Sequence, residues 1–296
     1  MADLVACPPG LRRLIHTRDH LAVLGSPIAH SKSPLLHRAA YQQLGLAWHY
    51  EAIDVKSEDL ASFVASRGDY WRGLSLTMPL KRAVLPLLKS VDDTALQSGA
   101  VNTVLFDDAS HAVVLRGFNT DVYGIVAAFR ARGVDHLSRV QLLGSGATAT
   151  SALLAVSRLG AEQVVVSART PSHADSLRRL ADELGLRVEV RPLDADHSGF
   201  VADAVISTIP GGVASGPSFA AETLQSSVLF EVAYDAWPTP LATLWMSAGG
   251  RVISGVEMLL HQALAQVRIF VGGDPGILLT NEAAVLEAMR GSISPV

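Results

Sequence analysis

Short apolar runs separated by helical patterns organise this chain. Five apolar runs have the length of buried strands, at 21–25, 73–76, 140–144, 163–167 and 204–208. Three helical patterns lie between or after these runs, at 35–44, 124–133 and 150–159. Strands that alternate with helices are typical of α/β domains. The pattern therefore predicts an α/β fold, with candidate site residues where the strands end.

The strand-like run at 73–76 ends in a Thr-x-Pro turn that is followed by a lysine. Pro79 cannot donate to a strand ladder and biases Met78 away from helix, so the strand must end here. Lys81 then lies at a rigid strand-to-helix corner, where its side chain can be held over a cleft. The alternative interpretation is a solvated surface charge, and two further polar blocks weigh against it.

Two serines follow the first apolar run and precede the first helical pattern. Ser31 and Ser33 stand just before Pro34, which is suited to a first helical turn. This arrangement places two hydroxyls and free backbone N–H groups at a helix N-terminus, where anions bind. Simple N-capping explains one serine and does not require both.

Two further polar residues, Asn102 and Asp121, are predicted to lie at strand ends. Each alone is typical of a turn. Together with the two serine hydroxyls, Thr77 and Lys81, they form a plausible cage for a polyhydroxylated carboxylate.

Composition bounds the class of protein. A length of 296 residues favours two domains, and 49% hydrophobic residues suffice for sizeable cores. The net charge of −4 and pI of about 6.2 indicate neither nucleic acid nor an anionic membrane as partner. Cys7 is the only cysteine, and the ten histidines show no metal-ligand spacing. The first twenty residues contain no signal-peptide core and no segment has the length of a membrane span, so we expect a cytoplasmic protein.

A glycine-rich loop in the centre of the chain predicts a dinucleotide site. The loop has the pattern G-x-G-x-x-A and lies between a short strand and an alanine-rich helix, with a second strand after it. That context is the one a dinucleotide fingerprint requires. Its candidate cofactor-binding residues are Gly144, Ser145, Gly146, Ala147 and Thr148.

The end of the second strand of this unit indicates which cofactor is used. An NAD site places a carboxylate there for the ribose 2′-hydroxyl, whereas this chain has Arg169 and Thr170 and no acidic residue before Asp175. The guanidinium of Arg169 is a fixed, charged donor suited to a 2′-phosphate. The sequence therefore predicts NADP, the alternative being that Arg169 is only a surface charge at a helix start.

Several of these motifs, in this order, resemble those of shikimate dehydrogenases. They are Gly-Ser-Pro-Ile-Ala-His-Ser-Lys-Ser-Pro at 25–34, Leu-Thr-Met-Pro-Leu-Lys at 76–81, Gly-Ala-Val-Asn-Thr at 99–103, Asn-Thr-Asp at 119–121 and Gly-Val-Glu-Met-Leu-Leu-His-Gln-Ala at 255–263. The resemblance covers about residues 20–285. The chain departs from the family where Ala147 replaces a usual Gly and Ala168 a usual Asn.

The resemblance implies a fold, a division into domains and a set of site residues. It implies an N-terminal α/β substrate domain of residues 1–121, completed by 256–296, and a Rossmann-like NADP-binding domain of residues 122–255, with a cleft between them. The implied catalytic residues are Lys81, as general acid/base, and Asp121. The implied substrate-binding residues are Ser31, Ser33, Thr77, Asn102, Tyr234 and Gln262. The implied further cofactor contacts are Thr208, Pro210 and Gly255.

The activity implied by the resemblance is the NADP-dependent, reversible reduction of 3-dehydroshikimate to shikimate, a step toward chorismate and the aromatic amino acids. Two alternatives stay open from the sequence alone. One is a relative that oxidises quinate or uses NAD. The other is a non-catalytic dinucleotide- or metabolite-sensing paralogue, whose signature would be a lost Lys81 or Asp121. We expect no metal, and a monomer or homodimer.

Overall fold

A computed structural model describes residues 18–109, 112–209, 217–234 and 237–293; Cys7 and Pro210 lie outside them. The first part of the chain forms a six-stranded sheet. Its strands are β1 His20–Gly25, β2 His49–Asp54, β3 Trp71–Leu76, β4 Ser90–Val91, β5 Thr103–Ala109 and β6 Ala112–Phe118. The helices among them are α1 Ser33–Gln43, α2 Leu60–Ala65, α3 Leu80–Ala83 and α4 Asp93–Ser98, with a 3₁₀ turn at Leu85–Leu87.

This first sheet is mixed and has the strand order β2-β1-β3-β5-β6-β4. Strand β1 pairs in parallel with both β2 and β3, so their carboxyl ends lie at one edge of the sheet. Strand β5 runs antiparallel to both β3 and β6. Because of this reversal, the backbone carbonyl oxygen of Asn102, just before β5, lies at the end of β3, where it accepts a hydrogen bond from the Leu76 N–H at 2.8 Å.

The second part of the chain begins with α5 Asp121–Arg130 and forms a parallel sheet. Its strands are β7 Arg139–Leu143, β8 Gln163–Ala168, β9 Arg187–Pro192, β10 Asp196–His197, β11 Ala204–Ser207, β12 Ser218–Phe219, β13 Val228–Glu231 and β14 Arg251–Ser254. The helices are α6 Ala147–Arg158, α7 Asp175–Glu183, α8 Ala221–Ser226 and α9 Pro240–Ser247, with a 3₁₀ turn at Pro171–Ala174. Strands β10 and β12 pair only with each other.

The main second sheet has the order β9-β8-β7-β11-β13-β14, and its strands are all parallel. Relabelled by position in the chain, this is the order 3-2-1-4-5-6 of the doubly wound dinucleotide-binding fold. Its buried strands are mostly apolar, as expected for a parallel sheet covered on both faces, and the buried polar residues among them are Gln141, Ser167, Ser207 and Glu231.

The chain then returns to the first sheet through α10 Gly255–Gly272 and α11 Glu282–Ile293. Leu260, Leu264 and Val267 of α10 join a core that also contains Leu21 and Leu36. Helix α10 packs closely on α5, because a Cβ on Gly124 would lie 2.8 Å from both Gln262 Cβ and the Met258 carbonyl oxygen. The prediction of an α/β fold with two lobes and a cleft between them is confirmed.

Three predicted helix starts differ from the structure. Helix α1 begins at Ser33 rather than 35, because Pro34 occupies its first turn. Helix α6 begins at Ala147 rather than 150, directly after Gly146. Helix α5 begins at Asp121 rather than 124, so Asp121 is the first residue of a helix and not the end of a strand. Within the described ranges, no helix is both long and apolar enough to cross a bilayer.

Candidate active site

A cavity of about 350 Å³ opens at the carboxyl end of β1 and β3, beside the N-terminal half of α10. All eight residues predicted to be catalytic or substrate-binding line it. They are Ser31, Ser33, Thr77, Lys81, Asn102, Asp121, Tyr234 and Gln262. The structure therefore brings together residues that lie up to 231 positions apart in the sequence.

Lys81 and Asp121 form an ion pair in the wall of this cavity. Lys81 Nζ donates to Asp121 Oδ2 at 2.6 Å, and the two side chains are 14% and 4% exposed. Pro79 ends β3 and begins the short helix that carries Lys81, as the sequence predicts. The two side chains are thus held close together in a wall from which water is largely excluded.

Asn102 orients the other oxygen of the Asp121 carboxylate. Asn102 Nδ2 donates to Asp121 Oδ1 at 2.8 Å, and its Oδ1 accepts from the Thr120 backbone N–H at 2.9 Å. The Asp121 backbone N–H in turn donates to Asn119 Oδ1 at 2.9 Å. The carboxylate thus has a partner on each oxygen and a fixed backbone.

Two glutamines on one face of α10 complete the base of the cavity. Gln262 Oε1 accepts from Asn102 Nδ2 at 3.3 Å, and Gln262 Nε2 donates to the Leu259 carbonyl at 3.0 Å. Gln266 and Ser75 also line the cavity, although the sequence analysis did not single them out. The sequence spacing could have predicted both: Ser75 is two residues before Thr77 on a strand, and Gln266 is one helical turn after Gln262, so each lies on the same face as a predicted site residue.

The serines and the tyrosine lie at the mouth of the cavity. The backbone N–H of Ser33 donates to Ser31 Oγ at 3.3 Å, so the two serines share one turn at the start of α1. Lys32 Nζ lies 5.7 Å from the centre of the Tyr234 ring, a cation–π contact from the first lobe to the second. Hydroxyl groups therefore line this part of the cavity, and the Lys32 ammonium lies against the Tyr234 ring beside it, a setting that suits a carboxylate.

A second cavity, of about 700 Å³, adjoins the first along the carboxyl end of β7, β8 and β11. The predicted cofactor residues that line it are Gly144, Ser145, Gly146, Ala147, Thr148, Arg169, Thr170 and Thr208. Thr77, Met78, Lys81 and Thr148 line both cavities. Lys81 thus stands where the two cavities meet.

The loop that enters α6 is shaped for close approach by a ligand. Gly144 has φ +110°, and a Cβ there would overlap the Thr208 hydroxyl, so only glycine fits. Gly146 faces open space, and no side chain caps the helix that follows it. The backbone N–H groups in the first turn of α6 can therefore bind an anion.

The charge of the second cavity also suits a phosphate. Among the described residues lining this cavity, Lys81, Arg82 and Arg169 are cationic and none is acidic. Loop and charges together fit a phosphate-bearing dinucleotide.

Two predicted cofactor residues stand apart from this group. Gly255 lies in the wall of the first cavity and not the second, where a Cβ would overlap the Val232 carbonyl oxygen. That close packing at the start of α10 explains why position 255 is occupied by a glycine. Pro210 lies outside the described residues. No group of three or more His, Cys, Asp or Glu side chains within the described part is placed to hold a metal ion.

A doubly wound nucleotide-binding sheet joined to a lobe with a Lys–Asp polar cavity defines a two-lobed, dinucleotide-binding α/β protein. The profile described as shikimate dehydrogenase substrate binding domain matches residues 23–104. A Methanothermobacter thermautotrophicus protein named shikimate dehydrogenase (NADP(+)) is 32% identical over 286 residues, or 91% of this chain and 97% of that protein. One of the same name from Methanothrix thermoacetophila is 37% identical, over 90% of this chain and 97% of that protein. The chain belongs to the shikimate dehydrogenase family.

Solved structures agree with this membership. The Mycobacterium tuberculosis shikimate dehydrogenase superposes with a TM-score of 0.79 at 37% identity, covering 92% of this chain and 99% of that one. The Thermus thermophilus shikimate 5-dehydrogenase, determined in complex with NADP(H) and shikimate, gives a TM-score of 0.76 at 32% identity over 93% and 99% of the two chains.

Proposed function

We propose that this protein catalyses the NADP-dependent, reversible reduction of 3-dehydroshikimate to shikimate. The observation that carries this proposal is the position of Lys81, which lines both the first cavity, with its polar groups suited to a polyhydroxylated carboxylate, and the second cavity, which fits a dinucleotide. A ketone bound in the first cavity lies beside a proton donor and next to the site of the hydride donor. The relatives' names and the solved complex with NADP(H) and shikimate support the same reaction.

The cofactor residues of this proposal are those of the second cavity. The first turn of α6, with Gly144 to Thr148, would hold the pyrophosphate, and Arg169 with Thr170 would hold the 2′-phosphate. When bound, NADPH supplies the hydride. The protein's own part is to orient the ketone, exclude water and provide the proton.

Lys81 is the proposed proton donor to the ketone oxygen, and the proton acceptor in the reverse direction. Its Nζ is held by Asp121 Oδ2, so the ammonium is fixed in place before substrate binds. Asp121 would also accept from a ring hydroxyl. A base that is held by a second group in this way is the general arrangement of acid–base sites.

The remaining polar residues of the first cavity are proposed to bind the substrate. Ser31 and Ser33 would bind the carboxylate, and Thr77, Asn102, Tyr234 and Gln262 would bind the ring and its hydroxyls. A site whose buried polar groups match substrate hydroxyls rejects analogues that lack them by about 10⁴-fold or more. The rival sensing role is disfavoured because Lys81 and Asp121 are both present and paired.

The test is an absorbance assay of the reduced nicotinamide band with shikimate and quinate, each crossed with NADP and NAD. We expect the highest kcat/KM with shikimate and NADP. Faster turnover of quinate, or a preference for NAD, would replace the proposal with the first alternative. Binding of NADP and shikimate without turnover would favour the sensing paralogue.

We also propose that residues 1–121 and 256–296 form the substrate domain and 122–255 the cofactor domain. The two six-stranded sheets fall within 20–118 and 139–254, and α10 and α11 pack on the first core, which supports this division. The proposed location is the cytoplasm. The proposed oligomeric state is a monomer or a homodimer, and light scattering of the purified protein would distinguish the two.

A further inference from the structure

Behind the first cavity lies a buried hydrogen-bond network centred on Gln266, which is 2% exposed. Gln266 Nε2 donates to the Asn102 carbonyl at 3.1 Å and to Thr103 Oγ1 at 3.0 Å. Its Oε1 accepts from Ser75 Oγ at 2.9 Å and from His37 Nε2 at 3.1 Å. All four hydrogen bonds that a glutamine amide can make are therefore formed.

The partners fix the direction of every bond in this network. A backbone carbonyl only accepts, so the amide nitrogen of Gln266 must face Asn102, and its oxygen must face His37. His37 Nε2 then carries the ring proton, while Nδ1, 3.0 Å from Tyr41 Oη, accepts from that hydroxyl. Burial lowers the pKa of His37 to about 3, against the raising effect of the bond to Gln266, so the ring is neutral.

The row of hydrogen bonds with fixed direction continues from Gln266 to the ion pair. Since Thr103 Oγ1 accepts from Gln266, its own proton is available to Asn102 Oδ1, 2.8 Å away. Asn102 then donates from Nδ2 to Asp121 Oδ1 at 2.8 Å, and Lys81 donates to Asp121 Oδ2. From Tyr41 to the carboxylate, each group donates to the next. Hydrogen bonds aligned in one direction polarise one another.

We propose that Gln266 is a positioning residue that acts through Thr103 and Asn102 to hold the Asp121 carboxylate in place opposite Lys81. This inference rests on the proposed function, because its consequence is the orientation of the Lys81 ammonium for proton transfer. Thr103 is fully buried and does not line the cavity, so an effect of changing it reaches the cavity through its hydrogen-bond partners Asn102 and Gln266.

The charged and titratable groups around Asp121 are few within the described residues. Lys81 of α3 is bonded to it, and His30 and Tyr234 line the same cavity. Asp92, at the start of α4, accepts from the Asn119 backbone N–H. From α10 the facing groups are the uncharged Gln262 and Met258. A change at Thr103 alters none of these groups directly.

The decisive comparison is Thr103→Val with Thr103→Ser, assayed for shikimate oxidation over a range of pH. Thr103→Val keeps the shape and removes one donor to Asn102 Oδ1, which keeps those of Thr120, so we expect kcat to fall about threefold to tenfold. We also expect the pH profile of kcat/KM to change, because the carboxylate that holds the Lys81 ammonium is then positioned less firmly. Thr103→Ser keeps the hydroxyl and should restore both kcat and the profile, and the Kd for NADPH should be unchanged throughout.

Thr223→Val is the matched control for lost stability. Thr223 is also fully buried, its hydroxyl bonds to the Phe200 carbonyl in the second lobe, and it lines neither cavity. We expect it to lower the midpoint of thermal unfolding without moving the pH profile. If Thr103→Val does not fold, Gln266→Met, which removes the same link one step earlier, is compared with Thr223→Val in the same assays.

Equal pH profiles and kcat values for wild type and Thr103→Val would overturn the inference, as would failure of Thr103→Ser to restore them. The same profile in wild type and Gln266→Met would overturn it as well. A wild-type enzyme that does not oxidise shikimate would instead contradict the proposed function.

Discussion

Lys81 is the second residue of α3 and Asp121 is the first residue of α5, yet Lys81 Nζ and Asp121 Oδ2 are 2.6 Å apart. The pair joins the end of the first sheet to the helix that leads into the second. The ammonium held at that junction lines both cavities. The first two predictions concern its two members.

Lys81→Ala should lower kcat for shikimate oxidation by about 10²–10⁴-fold, because the general acid/base is lost. The Kd for shikimate should stay within about tenfold, since the other polar groups of the cavity are unchanged. Steady-state kinetics and equilibrium binding measure the two effects. Lys56→Ala, at an exposed lysine outside both cavities, is the control. Turnover of Lys81→Ala close to that of the control would show that another group transfers the proton.

Asp121→Asn keeps the shape of the side chain and removes its charge, so Lys81 loses its anionic partner. The rate should fall and the pH profile of kcat/KM should change, because the ammonium is no longer held by a carboxylate. The matched control is Asp107→Asn, which removes a half-buried carboxylate bonded to Arg116 at 2.9 Å on the β5–β6 hairpin, outside both cavities. If both variants keep the wild-type rate and profile, Asp121 has only a local structural role.

Arg169→Ala should weaken NADP binding by roughly tenfold to a hundredfold, since a charge-assisted contact to phosphate is worth about 1.5–3 kcal/mol. The Kd for NAD, which lacks the 2′-phosphate, should hardly change. Arg178→Ala, at an exposed arginine paired with Asp175, controls for the loss of positive charge. Titrations of both cofactors against all three proteins decide the matter, and an equal loss for NAD and NADP would remove Arg169 from the 2′-phosphate site.

His37 should make the protein less stable as pH falls. Its pKa is lowered by burial from 6.5 to about 3, so between these values the unfolded chain binds a proton that the native ring does not. The free energy of unfolding should therefore fall by up to about 1.4 kcal/mol per pH unit from this residue alone, between about pH 6 and pH 4. Urea unfolding of wild type and His37→Asn at several pH values measures the difference. The same slope in both proteins would show that His37 does not contribute.

The residues at the strand ends of this site could be predicted from the sequence, whereas the buried contacts behind the cavity could not. Pro79 and Gly144 mark corners that local backbone chemistry dictates, so Lys81 and the dinucleotide loop could be placed from the sequence. Asp121 was assigned to a strand end because a short polar residue is ambiguous between a turn and the first turn of a helix. Gln266 meets Ser75 across 191 positions of sequence, and no local pattern reports such a contact.

Gly255 has a packing reason that the sequence could not report. The resemblance implies a cofactor contact for this glycine, which stays a prediction, and the structure adds that a Cβ there would overlap the Val232 carbonyl oxygen. That close approach depends on how β13 and β14 pair, which no local sequence pattern gives.

Helix α10 has a consequence for the order of folding. The second sheet is formed by consecutive strands between 139 and 254, whereas the first core needs Leu260, Leu264 and Val267 from beyond that sheet. As the chain leaves the ribosome, the strands of the first sheet are covered on this face only in part, by α1, until the later sheet has been synthesised and α10 emerges. The first lobe is thus translated before the second and completes its core after it, and in that interval its apolar strands are exposed to aggregation.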